Sequence, residues 1–324
     1  MQRRNWLVAA TALALTTPFL ASTALAQAWP ARPIKLVVPF PPGGLIDNMA
    51  RLVVPKLAQE LGQAIVVDNK PGAGGNLGAA EAARAAADGY TLLMASPPLT
   101  ISPALYSKLP YKPEQIAPIA LLGRVPNVLM VNPASGINSL AELTALAKSK
   151  PGQLNYASNG QGTSLHLSAE LYKSQSGAFV THIPYRGAAA GLTGLMTGEV
   201  NLMFDNLPSA LGLIQSGKLK ALAVTTPQRS SALPGVPTME EAGMKGYQVF
   251  AWFGVAAPAG LPAPVQQKLE QALERVANQP EVKAAMLKAG AEPAWANSQG
   301  LASFMQADMA QWKKVAAFAK ISLD

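Results

Sequence analysis

The 324-residue chain contains no cysteine. That absence excludes disulfides, zinc–thiolate sites, iron–sulfur clusters, thiol nucleophiles and a lipidated cysteine anchor. Histidine is scarce: His166 and His182 are the only two, too few for a histidine-based metal cluster. Carboxylate-only metal sites stay open in principle, but neither a metal nor a cofactor is expected. Charged residues make up 14% and aromatics 6% of the chain, against roughly 25% charged in ordinary soluble domains. No complete phosphate loop, G-x-x-x-x-G-K-[ST], occurs, nor does the G-x-S-x-G elbow of serine hydrolases.

What charge there is leans positive, with a formal net charge of +8 and a pI near 9.6. Lysines and arginines stand singly, adjacent only at Arg3-Arg4 and Lys313-Lys314. Without basic clusters interleaved with aromatics, nucleic acid is not an expected partner. A weak field favouring small anions and a merely basic surface both fit. Past the first residues, no apolar stretch is long enough to span a bilayer. Residues 1–26 read as a targeting segment, with Arg3-Arg4, an apolar run from Trp6 to Leu15 and a small-x-small site at Ala24-Leu25-Ala26. Thr16-Thr17-Pro18 interrupts that run before the ~20 residues a membrane span needs. An exported chain is expected, by the general secretory or the twin-arginine route.

The stretch Val38 to Arg51, VPFPPGGLIDNMAR, organises the rest. An apolar run from Ile34 to Val38 stops at a Pro-rich turn and the pair Gly43-Gly44. A helical pattern then starts at Leu45 and continues through Leu52, Val53 and Leu57. In such a unit the turn sits at the carboxyl end of the strand, and the bare N–H groups opening the helix favour an anion. A second strand–glycine turn–helix runs from Ala64-Ile65-Val66-Val67 through Asn69–Asn76 to a helix over Leu77–Ala87. It is not a dinucleotide fingerprint: Gly72-x-Gly74 is followed by glycine at 75 or 78, not at 77. Tyr90–Ala95 is a strand ending at Ser96, and Leu121-Leu122 and Asn127–Val131 read as two further strands.

From there the pattern restarts. Ser139 caps a helix over Leu140–Lys148. The strand Leu154–Ser158 empties into Asn159-Gly160-Gln161-Gly162-Thr163-Ser164 and a helix over Leu165–Gln175. Strands follow at Thr181–Tyr185, Asn201–Phe204, Leu219–Val224 and Gly246–Pro258, then helices over Pro264–Ala277, Pro280–Lys288 and Gln299–Phe318. Alternating strand and helix predicts an α/β protein with mostly parallel sheets. Two groups of βα units predict two lobes, 27–130 plus 250–324 and 131–249, with a ligand cleft between them.

Eight ordered blocks resemble the Bug-type extracytoplasmic solute receptors of tripartite tricarboxylate transporters. They are FPPGGxxDxxAR at 40–51, NKPGAGGNLGA at 69–79, ADGYTLL at 87–93, PNVLMVNP at 126–133, LNYASNGQGTSLHLSAEL at 154–171, IPYRG at 183–187, MFDNLPSAL at 203–211 and GKLKALAVTTPQRSSALPGVPTMEEAG at 217–243. The resemblance implies a two-lobed, type II-like periplasmic-binding-protein fold with two hinge crossings. It implies a monomeric periplasmic receptor that passes a small carboxylate-bearing solute (di- or tricarboxylate, amino acid or aromatic acid) to membrane permease subunits. It further implies that backbone N–H groups of the first turn and of Gly160–Ser164 hold the carboxylates. Such receptors commonly carry Thr or Ser where this chain has Ile46, and more polar residues at Pro97-Pro98-Leu99. A ligand with an apolar or aromatic body is expected from those two departures.

The candidate ligand-binding residues are Phe40, Pro42, Gly43, Gly44, Leu45 and Asp47 in the first turn; Ser96; Ser158, Gly160, Gly162, Thr163, Ser164 and His166 around the second; and Arg186, Asp205, Trp252 and Phe253. Several carry two readings. Asp47 either caps N–H groups and pairs with Arg51 at i, i+4, or touches the ligand. His166 donates to an anion or fixes its loop. Asp205 accepts from a ligand or orients a water. Trp252 and Phe253 form an aromatic wall or pack a core, and Arg186 is a ligand cation or a solvated side chain. Two rival functions remain: a sensor feeding a membrane signalling partner, and a hydrolase using Ser158 or Ser164 with His166 and Asp205.

Overall fold

The computed structural model describes residues 29–319 and 321–322, so the targeting segment lies outside the described residues. Strand β1 (Ile34–Val38) leads into α1 (Leu45–Leu61), whose buried Leu45, Ile46, Met49, Ala50, Val53, Val54, Leu57 and Leu61 repeat at three- and four-residue spacing. Such a stripe defines the face of a helix that meets a core. The helix ends at Gly62, whose left-handed φ of 68° lets its N–H close back on Ala58 and Gln59. There follow β2 (Ile65–Asn69), α2 (Asn76–Arg84), β3 (Thr91–Ala95), α3 (Pro98–Leu105) and the 16-residue β4 (Ile116–Val131).

The next units are α4 (Leu140–Ser149), capped by the Ser139 hydroxyl at 3.1 Å from the Glu142 N–H, then β5 (Asn155–Ser158) and α5 (Ser164–Ser176). After them come β6 (Thr181–Pro184), α6 (Ala188–Thr197), β7 (Leu202–Asn206), α7 (Leu207–Gln215) and β8 (Lys220–Val224). The chain closes with β9 (Phe250–Pro258), α8 (Ala263–Asn278), α9 (Pro280–Lys288), β10 (Glu292–Ala296) and α10 (Ser298–Ala319).

The strands form one strongly curled sheet in the order β2-β1-β3-β9-β4-β7-β5-β6, with β8 and β10 also paired to β4. Pairing is parallel for β1–β2, β1–β3, β5–β6 and β5–β7, and antiparallel wherever β4 or β9 takes part. The expectation of mostly parallel sheets is therefore corrected to a mixed sheet, because two long antiparallel strands run through its middle. The two strands expected at Leu121-Leu122 and Asn127–Val131 are likewise one. β4 pairs with β9 from Ile116 to Pro126 and with β7 from Asn127 to Val131, absorbing register irregularities on the way. At Gly123 an added Cβ would lie 2.4 Å from the Phe253 ring, so glycine here makes room for an aromatic ring of the neighbouring strand.

Helices cover both faces. The sheet half with β1, β2, β3 and β9 has one apolar core under α1, α8 and α9 and another under α2 and the start of α10. The half with β5 and β7 has one core under α4 and α5 and another under α6 and α7. α10 serves both halves: Leu301 belongs to the first set, while Trp312, Val315 and Ala316 pack with Leu129, Tyr172 and Phe204 in the second. The chain passes between halves at Pro126–Asn127 and again at Val249–Phe250. Thr225 ties the two passages together. Its N–H donates to the Asn127 carbonyl at 2.9 Å, its hydroxyl bonds to Val249 O, and its carbonyl accepts from the Val249 N–H at 3.1 Å.

Candidate functional site

The carboxyl ends of β1, β3, β5 and β7 carry the turns that the sequence singles out. In the first turn the fully buried Asp47 is a structural clasp. Its Oδ2 accepts from the Gly43 N–H and from Arg51 Nε, both at 2.9 Å, and its Oδ1 accepts from Asn69 Nδ2 at 2.9 Å. The same Asn69 amide donates to the Phe40 carbonyl at 3.0 Å. Burial works to raise the Asp47 pKa, but these hydrogen bonds, with that of Arg51 foremost, outweigh it and hold the carboxyl below its ordinary range. With Asp47 engaged on both oxygens, the groups the turn presents are backbone. α1 opens at Gly44 with no side-chain cap, so the first N–H groups of the helix, at Leu45 and Ile46, have no intrahelical partner. Pro42 and Gly43 are exposed, Phe40 is half-buried, and the side chains of Leu45 and Ile46 point into the core. Ser96, directly after β3, is buried beside Pro97 and Pro98.

The second turn is built in the same spirit with other parts. Thr163 caps α5, donating to the Gly160 carbonyl at 2.9 Å and accepting from the His166 N–H at 3.4 Å. His166 fixes the loop, since its Nδ1 accepts from the Gly162 N–H at 3.3 Å and its Nε2 faces Glu170 at 3.9 Å. Gly160, φ 125°, and Gly162, φ 74°, supply backbone angles other residues rarely adopt. Thr163 and Ser164 are buried, and the N–H groups of Ser164 and Leu165 open the helix without intrahelical partners.

Behind the loop the rings of Tyr156, His182 and His166 stack, with centroids 4.8 and 4.3 Å apart. Ser158 lies 2.6 Å from His182 Nε2. Burial, reinforced by the neighbouring His166 and Lys173, pushes His182 down to about 3, and burial also lowers His166. Both rings are therefore neutral at physiological pH. Glu170 anchors the stack, accepting from Tyr156 Oη at 2.7 Å and Lys173 Nζ at 2.8 Å.

Asp205 ends β7 completely buried. Its Oδ1 accepts from the Asn206 N–H at 2.8 Å and from Asn159 Nδ2 at 3.1 Å, while its Oδ2 has no protein partner. The side-chain oxygens of Asn159 and Asn206 are also buried without a donor. Burial pushes the Asp205 carboxyl up to about 7 despite those two bonds. Three acceptors in want of donors thus lie at the ends of β5 and β7, and beside Asp205 and Asn159 a hydroxyl, an ammonium or a protonated acid fits best.

Two expected residues sit elsewhere. Trp252 and Phe253 do not form a cleft wall; both are fully buried on a central strand covered by helices, one in each of the cores flanking it. Trp252 stands edge-on to Phe304 at 5.4 Å and donates to Asp308 at 3.3 Å. Arg186 is exposed between β6 and α6. Sequence reasoning missed Asn69 and Asn159, whose amides hold the two turns; each stands two positions after the last apolar residue of its strand, which was the available signal. An open depression of about 700 Å³ lies instead by Lys148, Gln175 and Met244. That is at the far end of α5, roughly 18 Å from the Gly160–Ser164 turn by helix rise. Among the described residues no group of three or more His, Asp or Glu could hold a metal, and no helix is long and apolar enough to cross a membrane.

Residues 49–321 match the model of the tripartite tricarboxylate transporter family receptor. Protein BugT of Bordetella pertussis is 37% identical over 312 residues, covering 95% of this chain and 96% of its own length. Among solved structures, Rpa4515 of R. palustris with adipate superposes with a TM-score of 0.87 at 36% identity, covering 91% of this chain and 99% of that one. MatC from Rhodopseudomonas palustris with bound malate gives 0.82 at 34% identity, covering 89% and 99%. The fold is the two-lobed one of periplasmic solute-binding proteins, and periplasmic binding protein BugD superposes with a TM-score of 0.84 at 34% identity, covering 91% of this chain and 99% of that one.

Proposed function

Because the chain belongs to the tripartite tricarboxylate transporter receptor family, we propose that it is a periplasmic receptor capturing a small dicarboxylate and handing it to the permease subunits of such a transporter. One observation carries this: two glycine turns at strand ends, in different halves of the molecule, each lead into a helix whose first N–H groups are uncommitted. Backbone donors at helix starts suit a carboxylate at either end of one ligand. The bound adipate and malate of the similar structures support the same class. Ile46 is buried in the core beneath the first turn, so backbone N–H groups alone grip the carboxylate there, and an apolar ligand body is favoured.

In this scheme the lobes divide at Pro126–Asn127 and Val249–Phe250, the two passages joined by Thr225. They rotate about that point to close over the ligand. Asp205, Asn159 and Asn206 form the polar wall of the second lobe, accepting from a ligand hydroxyl or ammonium or ordering water against it. The Ser158–His182 contact is the one feature favouring a hydrolase. A histidine that protonates only near pH 3 is a poor general base, and Ser158 is fully buried, so the pair serves the loop. A thermal-shift screen of adipate, malate, glutamate and aromatic acids tests the proposal. A ligand at 100 times its dissociation constant adds about 2.7 kcal/mol to the folded state. A rise of several degrees with a dicarboxylate is expected, and a flat response to every carboxylate overturns it.

A further inference from the structure

The turn between β2 and α2, which no part of the ligand scheme uses, reaches across to the other half of the molecule. Gly72, Ala73, Gly74 and Gly75 all have positive φ, at 135°, 47°, 65° and 103°. Ala73 is the sole non-glycine residue with positive φ among those described. This costly backbone is wedged on one side: an added Cβ at Gly75 would lie 3.3 Å from Pro98 and 3.5 Å from Phe40, and one at Gly78 would lie 2.8 Å from Pro39. The Gly75 N–H closes on the Gly72 carbonyl at 2.9 Å. The turn is therefore fixed to the Pro39–Phe40 turn and to the start of α3.

Its tip meets something different. A Cβ at Gly74 would lie 3.3 Å from the backbone carbonyl oxygen of Gln161, with nothing else within 4 Å. Gln161 sits between Gly160 and Gly162, in the turn that opens α5. Backbone of one half thus rests on backbone of the other, with no side chain between them. Only glycine both adopts this φ without strain and leaves the space free.

We propose that Gly74 is the stop against which the second lobe closes: the Gln161 carbonyl seats on it, and this sets how near the two N–H turns come to a shared ligand. The proposal rests on the receptor reading above and makes Gly74 a positioning residue that does not touch the ligand. The NKPGAGG block then has a mechanical role, holding a bare stretch of backbone at a fixed height above the Phe40 turn.

The absence of native cysteine gives a clean test. In the full mature chain, Gly74→Cys with Gln161→Cys is treated with a short bismaleimide, with and without saturating adipate. Gly62→Cys with Gln161→Cys is the control, since Gly62 lies at the far end of α1, about 25 Å along its axis. The Gly74 pair should link, several-fold faster with adipate, and the control should not. In parallel, Gly74→Asn should weaken adipate binding on the order of tenfold. Gly62→Asn, with φ 68° and nothing within 4 Å of its Cβ, should stay within twofold at a similar loss of melting temperature.

Linking no faster than the control overturns the contact. Where the parent binds adipate, linking at a rate indifferent to it, with Gly74→Asn binding like the parent, overturns the closing stop. If the parent itself ignores adipate, the receptor reading fails for that ligand. The ligand-free rates of the two pairs then decide: a faster Gly74 pair upholds the stop, and equal rates overturn it.

Discussion

Among the described carboxylates, Asp205 departs furthest from its type. Its pKa stands at about 7 in the folded protein, against 3.8 in a model peptide. Below about pH 4 both states hold the proton and its burial costs nothing extra. As the pH rises toward 7 the unfolded chain releases the proton while the folded one keeps it. Stability therefore falls through that window, by about 4 kcal/mol in all. Asp205→Asn keeps the shape without the charge, so its melting temperature should lack this slope and exceed the parent's at about pH 8. Melting curves from about pH 5 to about pH 8 check this; two parallel profiles would sink it. Residue identities at the site were legible in part. The Asp47–Arg51 pair follows from i, i+4 spacing on one helix. The Asn69 clasp joins β2 to α1 across 22 residues, and no local pattern announces a tertiary hydrogen bond.

Among elements, periodicity located several well: Pro280–Lys288 and the starts of α1 and α4 fall where the pattern places them, and the end of α4 and both ends of α5 lie one residue away. It missed α3, α6 and α7, which are short and carry no charged residue to mark a wet face. β4 was split in two because Gly123 and the prolines at 118 and 126 resemble breaks, when they are the irregularities of one long strand. The strand depends on Gly123 for the Phe253 ring. Gly123→Val should cost about 1–3 kcal/mol by overpacking, read as a lower urea midpoint with an unchanged slope. A midpoint equal to the parent's would mean that β4 and β9 part easily at this place.

At the scale of the whole molecule, two lobes were legible from the restart of the βα pattern, but the reach of α10 was not. Nothing in its sequence says that Leu301 and Trp312 enter different cores. Trp312→Ala empties a fully buried site in the second half, and about 3–5 kcal/mol of stability should go with it. Hydrogen exchange should then rise chiefly in β5, β7 and α5; a uniform rise across both halves would argue against the local role.

Thr100 on α3 bonds to Asp308 on α10 at 2.6 Å, across 208 residues of chain, and β3 finds its second neighbour only in β9. During synthesis the first half cannot complete its sheet until residues 250–258 have left the ribosome, and the core of the second half waits longer still, for Trp312 and Val315 of α10. Contacts so far apart in sequence form slowly. The order of emergence thus holds both cores open until the last part of the chain has been made.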